Sequence, residues 1–131
     1  MQQGLLYING TAVKHERLQD FVGDGACGGD AIARVKHWRE TLPNGVTYET
    51  LDCTESGYYD NTQVYTVPPG YFFTLGDNRD NSTDSRMLSV VGYIPLENVI
   101  GRVGLIYFSL VPGSSGRALS VRSERLGLMI R

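Results

Sequence analysis

The sequence has few of the residues that build common metal centres and histidine-dependent hydrolase sites. Its 131 residues include only two cysteines, two histidines and two lysines. The spacing of the cysteines and histidines matches no recognisable zinc pattern, and neither histidine stands in a context that suggests a Ser-His-Asp triad. We therefore expect no metal and no cofactor. These sparse residues are Cys27, Cys53, His15, His37, Lys14 and Lys36.

Long apolar runs and an excess of positive charge are also missing. No run approaches the roughly 18 apolar residues of a membrane span, and the first residues lack the basic and apolar regions of a targeting signal. The formal net charge is −2, and aromatic and basic residues do not alternate. The sequence therefore predicts no nucleic-acid partner.

What is present favours a single β-rich domain over residues 1–131. The chain is long enough to bury a core, and its 16 glycines and eight tyrosines favour strands joined by tight turns. Asn9-Gly10 between apolar residues predicts a two-residue type I′ hairpin, and residues 32–51 predict a second hairpin. We expect an all-β fold of mainly antiparallel strands with long loops. Further strands are predicted at 63–67, 71–75, 89–92 and 99–110, the last of them long and buried.

Two segments fit this scheme less clearly. Residues 21–30 contain four glycines but lack the Gly-Lys-Ser/Thr of a phosphate-binding loop, so we expect a flexible surface loop. The tail at 117–131 carries four arginines against one glutamate, and its apolar residues would form one side of a short helix. Contact with a membrane surface and a solvated tail both remain open. The apolar residues are Leu119, Leu126, Met129 and Ile130.

The two cysteines allow two interpretations. In an oxidising compartment Cys27 and Cys53 can form a disulfide, which would tie the glycine-rich segment to the strand that follows the second hairpin. A pair of free, buried thiols is equally compatible with the sequence. The pattern alone does not choose between them.

Residues 76–86 are the most polar stretch of the chain, and we call them the signature loop. A solvated turn rich in Asp, Asn and Ser is the simplest interpretation. A calcium loop starting at Asp77 is disfavoured, because its sixth position is Ser82 instead of glycine and its twelfth is Leu88 instead of glutamate. The glycosylation sequon at 81–83 is too short to be informative.

The signature loop carries a family resemblance. Its sequence, Gly-Asp-Asn-Arg-Asp-Asn-Ser-x-Asp-Ser-Arg, preceded by residues 67–75, resembles the last signature block of bacterial type I signal peptidases at all ten specified positions. Residues 5–10 resemble the hairpin after the family's lysine block, and residues 93–102 resemble the strand region near its end. Roughly the whole chain resembles the C-terminal part of the family, with 14–62 similar only in general character.

The resemblance implies a membrane-bound serine endopeptidase that removes signal peptides from exported preproteins with a Ser nucleophile and a Lys base. It implies a bacterial inner (plasma) membrane location, with this domain on the periplasmic side and the anchor in a missing N-terminal part. The family has a Ser-x-x-Pro block beside its membrane anchor and a Lys-Arg block before a Pro-Gly-Asp turn, and we identify neither block in the sequence. Lys36 lies in a predicted exposed strand. We therefore expect no catalytic residue in this chain and no activity from the fragment alone.

Two other hypotheses remain open. One is a catalytically dead homologue that acts as a binding or scaffold module for exported chains. The other is a relative in the same serine–lysine clan that processes conjugation pilins, which would differ in its substrate. Both keep the fold and change only what the chain acts on or whether it acts at all.

The resemblance assigns supporting roles within the signature loop. It implies that Ser82 hydrogen-bonds the catalytic lysine and orients its amine, a role once removed from the reacting atoms. It implies that Asp84 pairs with Arg86 and braces the loop beneath the active site, since a guanidinium can bind a carboxylate through two hydrogen bonds. Stabilisation of the loop alone is a compatible alternative for the pair.

Three further residues of the loop are expected to support the site. Asp77 and Arg79 are expected to form a second ion pair by the same logic of planar guanidinium geometry. Gly76 is expected to allow close approach of the backbone to the site, because it has no side chain. For these residues too, a purely structural role in the loop is compatible with the sequence.

Overall fold

The computed structural model describes residues 1–28, 32–112 and 119–130. It divides into two compact units, Met1–Val99 and Ile100–Arg131. The predicted all-β fold is confirmed, because antiparallel strands dominate and the helical pieces in the described residues are 3-10 turns of three residues each. Within those residues, no helix has the length and apolar character needed to cross a membrane. The prediction of one domain stays a prediction.

The first hairpin forms where the Asn-Gly signal predicts it. Strand β1 (Tyr7–Ile8) pairs with β2 (Thr11–Ala12). Asn9 and Gly10 both adopt positive φ, 50° and 79°, which a type I′ turn requires at its two central positions. Because this turn depends only on local chemistry, the sequence was sufficient to predict it.

The main sheet of the first unit is organised around one long strand. Strand β5 (Ile32–Thr41) pairs with β3 (Lys14–Arg17) along its C-terminal half and with β4 (Phe21–Asp24) along its N-terminal half. Strand β6 (Thr47–Asp52) pairs with residues 36–41 and completes the predicted second hairpin. The prediction of a flexible loop at 21–30 was wrong for residues 21–24, because their backbone N–H and C=O groups form hydrogen bonds with β5. Residues 29 and 30 lie outside the described part.

One face of this sheet supports the signature loop. Side chains alternate along a strand, so Trp38 and Glu40 of β5 share a face. Trp38 is paired with Thr50 of β6, which places Thr50 and Asp52 on the same face. This face is unusually polar for an interior, because Glu40 and Thr50 are only 1% and 2% exposed. The charged groups that cover it come from the signature loop.

Several predicted strands are shorter than expected or absent. Of the strand predicted at 71–75, only β7 (Tyr71–Phe72) forms, paired with β8 (Ile94–Pro95). Residues 63–67 are not a strand, and the two prolines that follow them cannot donate to a ladder. Residues 89–92 form a turn, because three successive backbone N–H groups there bond the carbonyl of Met87.

The second unit contradicts two predictions. Strand β9 (Leu110–Pro112) pairs with β10 (Leu119–Val121), but 99–110 is not the long buried strand expected from its apolar sequence. Ile100 is fully exposed, and Tyr107 is 89% exposed. Among the described residues, 104–109 is joined to 122–130 by scattered backbone hydrogen bonds and one bridge, from Leu105 to Met129. These contacts satisfy backbone groups but do not cover the apolar side chains.

The expected C-terminal helix was also wrong. Residues 119–121 form β10, and Ser123–Arg125 form a 3-10 turn. Gly127 then takes a positive φ of 80°, and its N–H and that of Leu128 bond carbonyls at Ile106 and Arg125. Pairing with the segment before β9 satisfies backbone groups that a helix would have satisfied internally. Residues 113–118 and 131 lie outside the described part.

Candidate functional site

The signature loop is attached to the edge of the main sheet. The backbone N–H of Leu51 in β6 donates to the carbonyl of Asp77 at 2.8 Å, and Leu51 and Asn78 form a parallel bridge. The chain then makes a 3-10 turn at Arg79–Asn81 and becomes extended again at Ser82. This turn brings the side chain of Arg79 over the polar face of the sheet.

Asp84 and Arg86 form the expected ion pair. The Nε of Arg86 donates to Oδ1 of Asp84 at 2.8 Å, and Nη2 donates to Oδ2 at 2.7 Å. Both residues are buried, and the backbone N–H of Gly76 adds a third donor to the carboxylate at 2.9 Å. Burial by itself would raise the pKa of Asp84, but the hydrogen bonds from Arg86 and Gly76 hold that pKa below its ordinary value.

The same arginine joins the two ends of the loop. The Nη2 of Arg86 also donates to the carbonyl of Arg79 at 2.5 Å. Neighbouring Ser85 is completely buried, and its hydroxyl accepts a hydrogen bond from the backbone N–H of Thr74 at 3.0 Å. Sequence reasoning did not single out Ser85. The residues around Ser85 are of types that normally face solvent, so the sequence gave no sign that Ser85 would be the most buried residue of the loop.

The expected pair of Asp77 and Arg79 was wrong. Arg79 instead donates through Nη2 to Oε2 of Glu40 at 2.5 Å and through Nε to the carbonyl of Gly76 at 3.2 Å. Asp77 is exposed, and among the described residues its Oδ1 accepts only the N–H of Asn78. The 3-10 turn separates them, because it directs Arg79 toward the sheet and leaves Asp77 in solvent.

Glu40 is the residue that sequence reasoning missed. It is 1% exposed and lies on β5, 39 positions away from its arginine partner. His15 approaches its other oxygen at 4.0 Å, but burial lowers the pKa of His15, so the imidazole is neutral at pH 7. Burial and then the hydrogen bond to Glu40 raise the pKa of Tyr48 to about 12. The available signal was an acidic residue at an inward position of a predicted strand.

Gly76 and Ser82 are in close contact. The hydroxyl of Ser82 donates to the carbonyl of Asn78 at 2.6 Å. A Cβ placed on Gly76 would lie 2.0 Å from that hydroxyl oxygen and 2.3 Å from the Cβ of Ser82. Any side chain at position 76 would therefore displace Ser82. The close approach predicted for Gly76 is to this serine.

A disulfide lies directly beside the loop. Cys27 and Cys53 are joined, with their Cα atoms 5.6 Å apart, so the interpretation of a free thiol pair is wrong. The backbone N–H of Cys53 donates to Oδ2 of Asp80 at 3.0 Å, and Asn78 donates through its side-chain amide to the carbonyl of Ala26. Both cysteine segments thus hold the 3-10 turn of the signature loop.

The chain resembles a family of known proteins along most of its length. The family model described as signal peptidase, peptidase S26, matches residues 1–108. The chain belongs to this signal peptidase family. It is 38% identical over 111 residues to the proteins named signal peptidase I of Rickettsia typhi and Rickettsia prowazekii, and 35% identical to that of Rickettsia conorii. These matches cover 80% of this chain and 39% of each relative. No solved structure matches it significantly.

The signal peptidase chain thus spans about two fifths of the length of these curated relatives. Lys36 does not have the surroundings of a general base. The Nζ of Lys36 lies 2.9 Å from Oε1 of Glu55, and this hydrogen bond raises the pKa of Lys36, whereas a base needs a lowered one. The described residues also contain no group of three or more His, Cys, Asp or Glu side chains that could hold a metal.

Two carboxyl groups share the space between β6 and the loop. Burial, followed by the hydrogen bond and the charge of Asp80, raises the pKa of Asp52 to about 6. Burial would also raise the pKa of Asp80, but hydrogen bonds from Asp52 and from the segment at Cys53 and Thr54 lower it below its ordinary value. Asp80 therefore carries the charge, and Asp52 retains its proton into the weakly acidic range.

This arrangement predicts the effect of Asp52→Asn. A carboxyl group whose pKa is higher in the folded state stabilises the fold below its ordinary pKa of 3.8, and that contribution is lost as the pH rises through about 6. Asparagine keeps the donor to Asp80 without the charge. The variant should gain about 1 kcal/mol at pH 7.5 after allowance for solvent screening. Urea unfolding between pH 4.5 and 7.5 measures it, and a parallel pH dependence in both proteins would contradict it.

Proposed function

We propose that this chain is the non-catalytic, β-rich part of a type I signal peptidase, a serine endopeptidase that cleaves signal peptides from exported preproteins. The observation that carries the proposal is the signature loop. Its Asp84–Arg86 pair is buried and joined by two hydrogen bonds, and its Ser82 hydroxyl is fixed between Gly76 and the carbonyl of Asn78. A loop held this firmly can position a catalytic group to within a fraction of an ångström.

The chemistry explains why such a support is needed. A lysine with its ordinary pKa of about 10.4 is protonated at neutral pH and cannot act as a base. It has to be desolvated and held in one orientation before it can accept the proton of a serine hydroxyl. Because the Ser82 hydroxyl already donates to Asn78, its remaining lone pairs are available to accept an N–H of the amine. That contact would leave the lone pair of the amine free to face the nucleophile.

The nucleophile and the base would come from residues outside this sequence. A Lys-Arg pair does not occur in the 131 residues, and the one Ser-x-x-Pro spacing, Ser109 to Pro112, follows the signature loop instead of lying beside a membrane anchor. We propose that the remaining part of the protein supplies the nucleophile and the base, together with the membrane anchor, and that this domain lies on the periplasmic side of the inner membrane. Its partners would be the signal peptides of exported preproteins. The chain alone would then be inactive.

The test compares the full-length protein that carries this segment with the 131-residue chain. Incubated with a preprotein and followed by gel electrophoresis and mass spectrometry, the full-length protein should release the mature product at one position. The 131-residue chain should release none, because it has no nucleophile.

The same assay separates the proposal from its alternatives. A folded full-length protein that binds the preprotein without cutting it would overturn the peptidase assignment in favour of a scaffold. Cleavage of a pilin precursor but not of ordinary preproteins would favour the pilin-processing hypothesis. Cleavage by the 131-residue chain would show that the catalytic residues lie within it.

A further inference from the structure

Three buried polar atoms of the first unit have no hydrogen-bond partner among the described residues. They are Nε1 of Trp38, Oε1 of Glu40 and Oδ1 of Asp52. Leaving one such group unpaired in a protein interior costs about 1–3 kcal/mol. Three of them in one small region indicate a shared partner instead of three separate defects.

All three residues line a single cavity. Trp38 and Glu40 are two positions apart on β5, and Asp52 is on the same face of β6. The cavity has a volume of about 10 Å³, and Arg79 of the signature loop and the buried Thr50 complete its wall on this side. Glu40, at 1% exposed, points one carboxylate oxygen at Arg79 and leaves the other without a partner.

The chemistry of the three atoms defines what fits between them. An indole N–H can only donate, and the ionised carboxylate of Glu40 can only accept. Oδ1 of Asp52 also accepts, whether the carboxyl group is ionised or carries its proton on the other oxygen. The complementary ligand therefore has two donors and one acceptor. A metal cation offers no acceptor to Trp38, and an anion would be repelled by Glu40. Water has the required groups, and a cavity near 10 Å³ is about the size that holds one water molecule.

We propose that this cavity is the binding site of one structural water that connects strands β5 and β6 beneath the signature loop. The water would accept from Trp38 and donate to Glu40 and Asp52. Glu40 holds Arg79 of the loop, and Asp52 follows Leu51, whose backbone N–H donates to the carbonyl of Asp77. The water thus joins the two strands at the positions where the loop is attached. This inference does not depend on peptidase activity.

A crystal structure of the 131-residue chain at better than about 1.5 Å tests the proposal. We expect one well-ordered water within about 2.7–3.2 Å of all three atoms. In solution, oxygen-17 relaxation dispersion should count the same water as a long-lived buried molecule. A site without water density, or density that behaves as a metal ion, would overturn the proposal.

Two variants sharpen the test. Trp38→Phe removes the donor among the three unpaired atoms, so the water should become weaker in density and be lost from the long-lived population. Asp52→Asn keeps an acceptor oxygen at the same place, so the water should stay. Unchanged water in Trp38→Phe would contradict the bridging role. If Trp38→Phe does not fold, loss of the water from Asp52→Asn would contradict it instead.

Discussion

Replacement of Glu40 by alanine should lower the free energy of unfolding by about 3–5 kcal/mol, among the largest effects expected in this chain. The reason is that Arg79, only 6% exposed, would keep its charge and lose its 2.5 Å carboxylate partner. The cost comes from the uncompensated guanidinium more than from the loss of attraction. Urea unfolding monitored by the fluorescence of the single tryptophan measures it.

The control for this prediction is Glu49→Ala on the neighbouring strand. Glu49 also pairs with a cation, Arg39, but at the surface, where such a pair contributes about 0–1 kcal/mol. The double variant Glu40→Leu with Arg79→Met should recover much of the loss, because an apolar pair leaves no buried charge. Equal losses for Glu40→Ala and Glu49→Ala would show that Glu40 does not hold the loop.

Asp84→Asn should cost about 3 kcal/mol and should alter the acid sensitivity of the fold. The amide replaces one acceptor oxygen by a donor, which would face donors of Arg86 in either orientation and also the N–H of Gly76 in one of them. Because the folded state lowers the pKa of Asp84, its contribution is present above the ordinary pKa of 3.8 and is lost as the pH falls through the folded value. The wild-type protein should therefore lose more stability on acidification below pH 4 than the variant.

Asp77→Asn is the matched control, because it makes the same change in the same loop at an exposed residue. Its Oδ1 accepts the N–H of Asn78, and asparagine can accept that hydrogen bond equally well. We expect a change within about 0.5 kcal/mol. Similar losses in the two variants would contradict the bracing role of Asp84, as would an Asp84→Asn protein whose stability still falls below pH 4 as steeply as that of the wild type.

The features that the sequence predicted correctly depend on neighbours along the chain. The turn at Asn9-Gly10 follows from the preference of these residues for positive φ. The Asp84–Arg86 pair joins residues two positions apart. Family resemblance added the expectation that Gly76 makes a close approach, and the contact with Ser82 gives that expectation a physical basis.

The features that the sequence could not predict depend on distant pairing. Arg79 finds Glu40 across 39 positions, a contact set by the register of β5 and by the direction of the 3-10 turn. The sequence pointed instead to Asp77, the carboxylate close to Arg79 along the chain, and that prediction was wrong. The prediction of a long buried strand at 99–110 was wrong for a related reason. An apolar run indicates a tendency to be buried but does not specify which strand pairs with it.

The most direct measurement of the central claim is the turnover of the full-length protein with Ser82→Ala. If the signature loop orients the catalytic lysine through this hydroxyl, kcat for preprotein cleavage should fall about 10–100-fold. The KM should be unchanged, since Ser82 would not touch the substrate, and the free energy of unfolding should fall only by about 1 kcal/mol for the lost hydrogen bond to Asn78. Ser89→Ala, at an exposed serine outside the loop, should leave kcat unchanged. A Ser82→Ala protein with wild-type kcat would contradict the account.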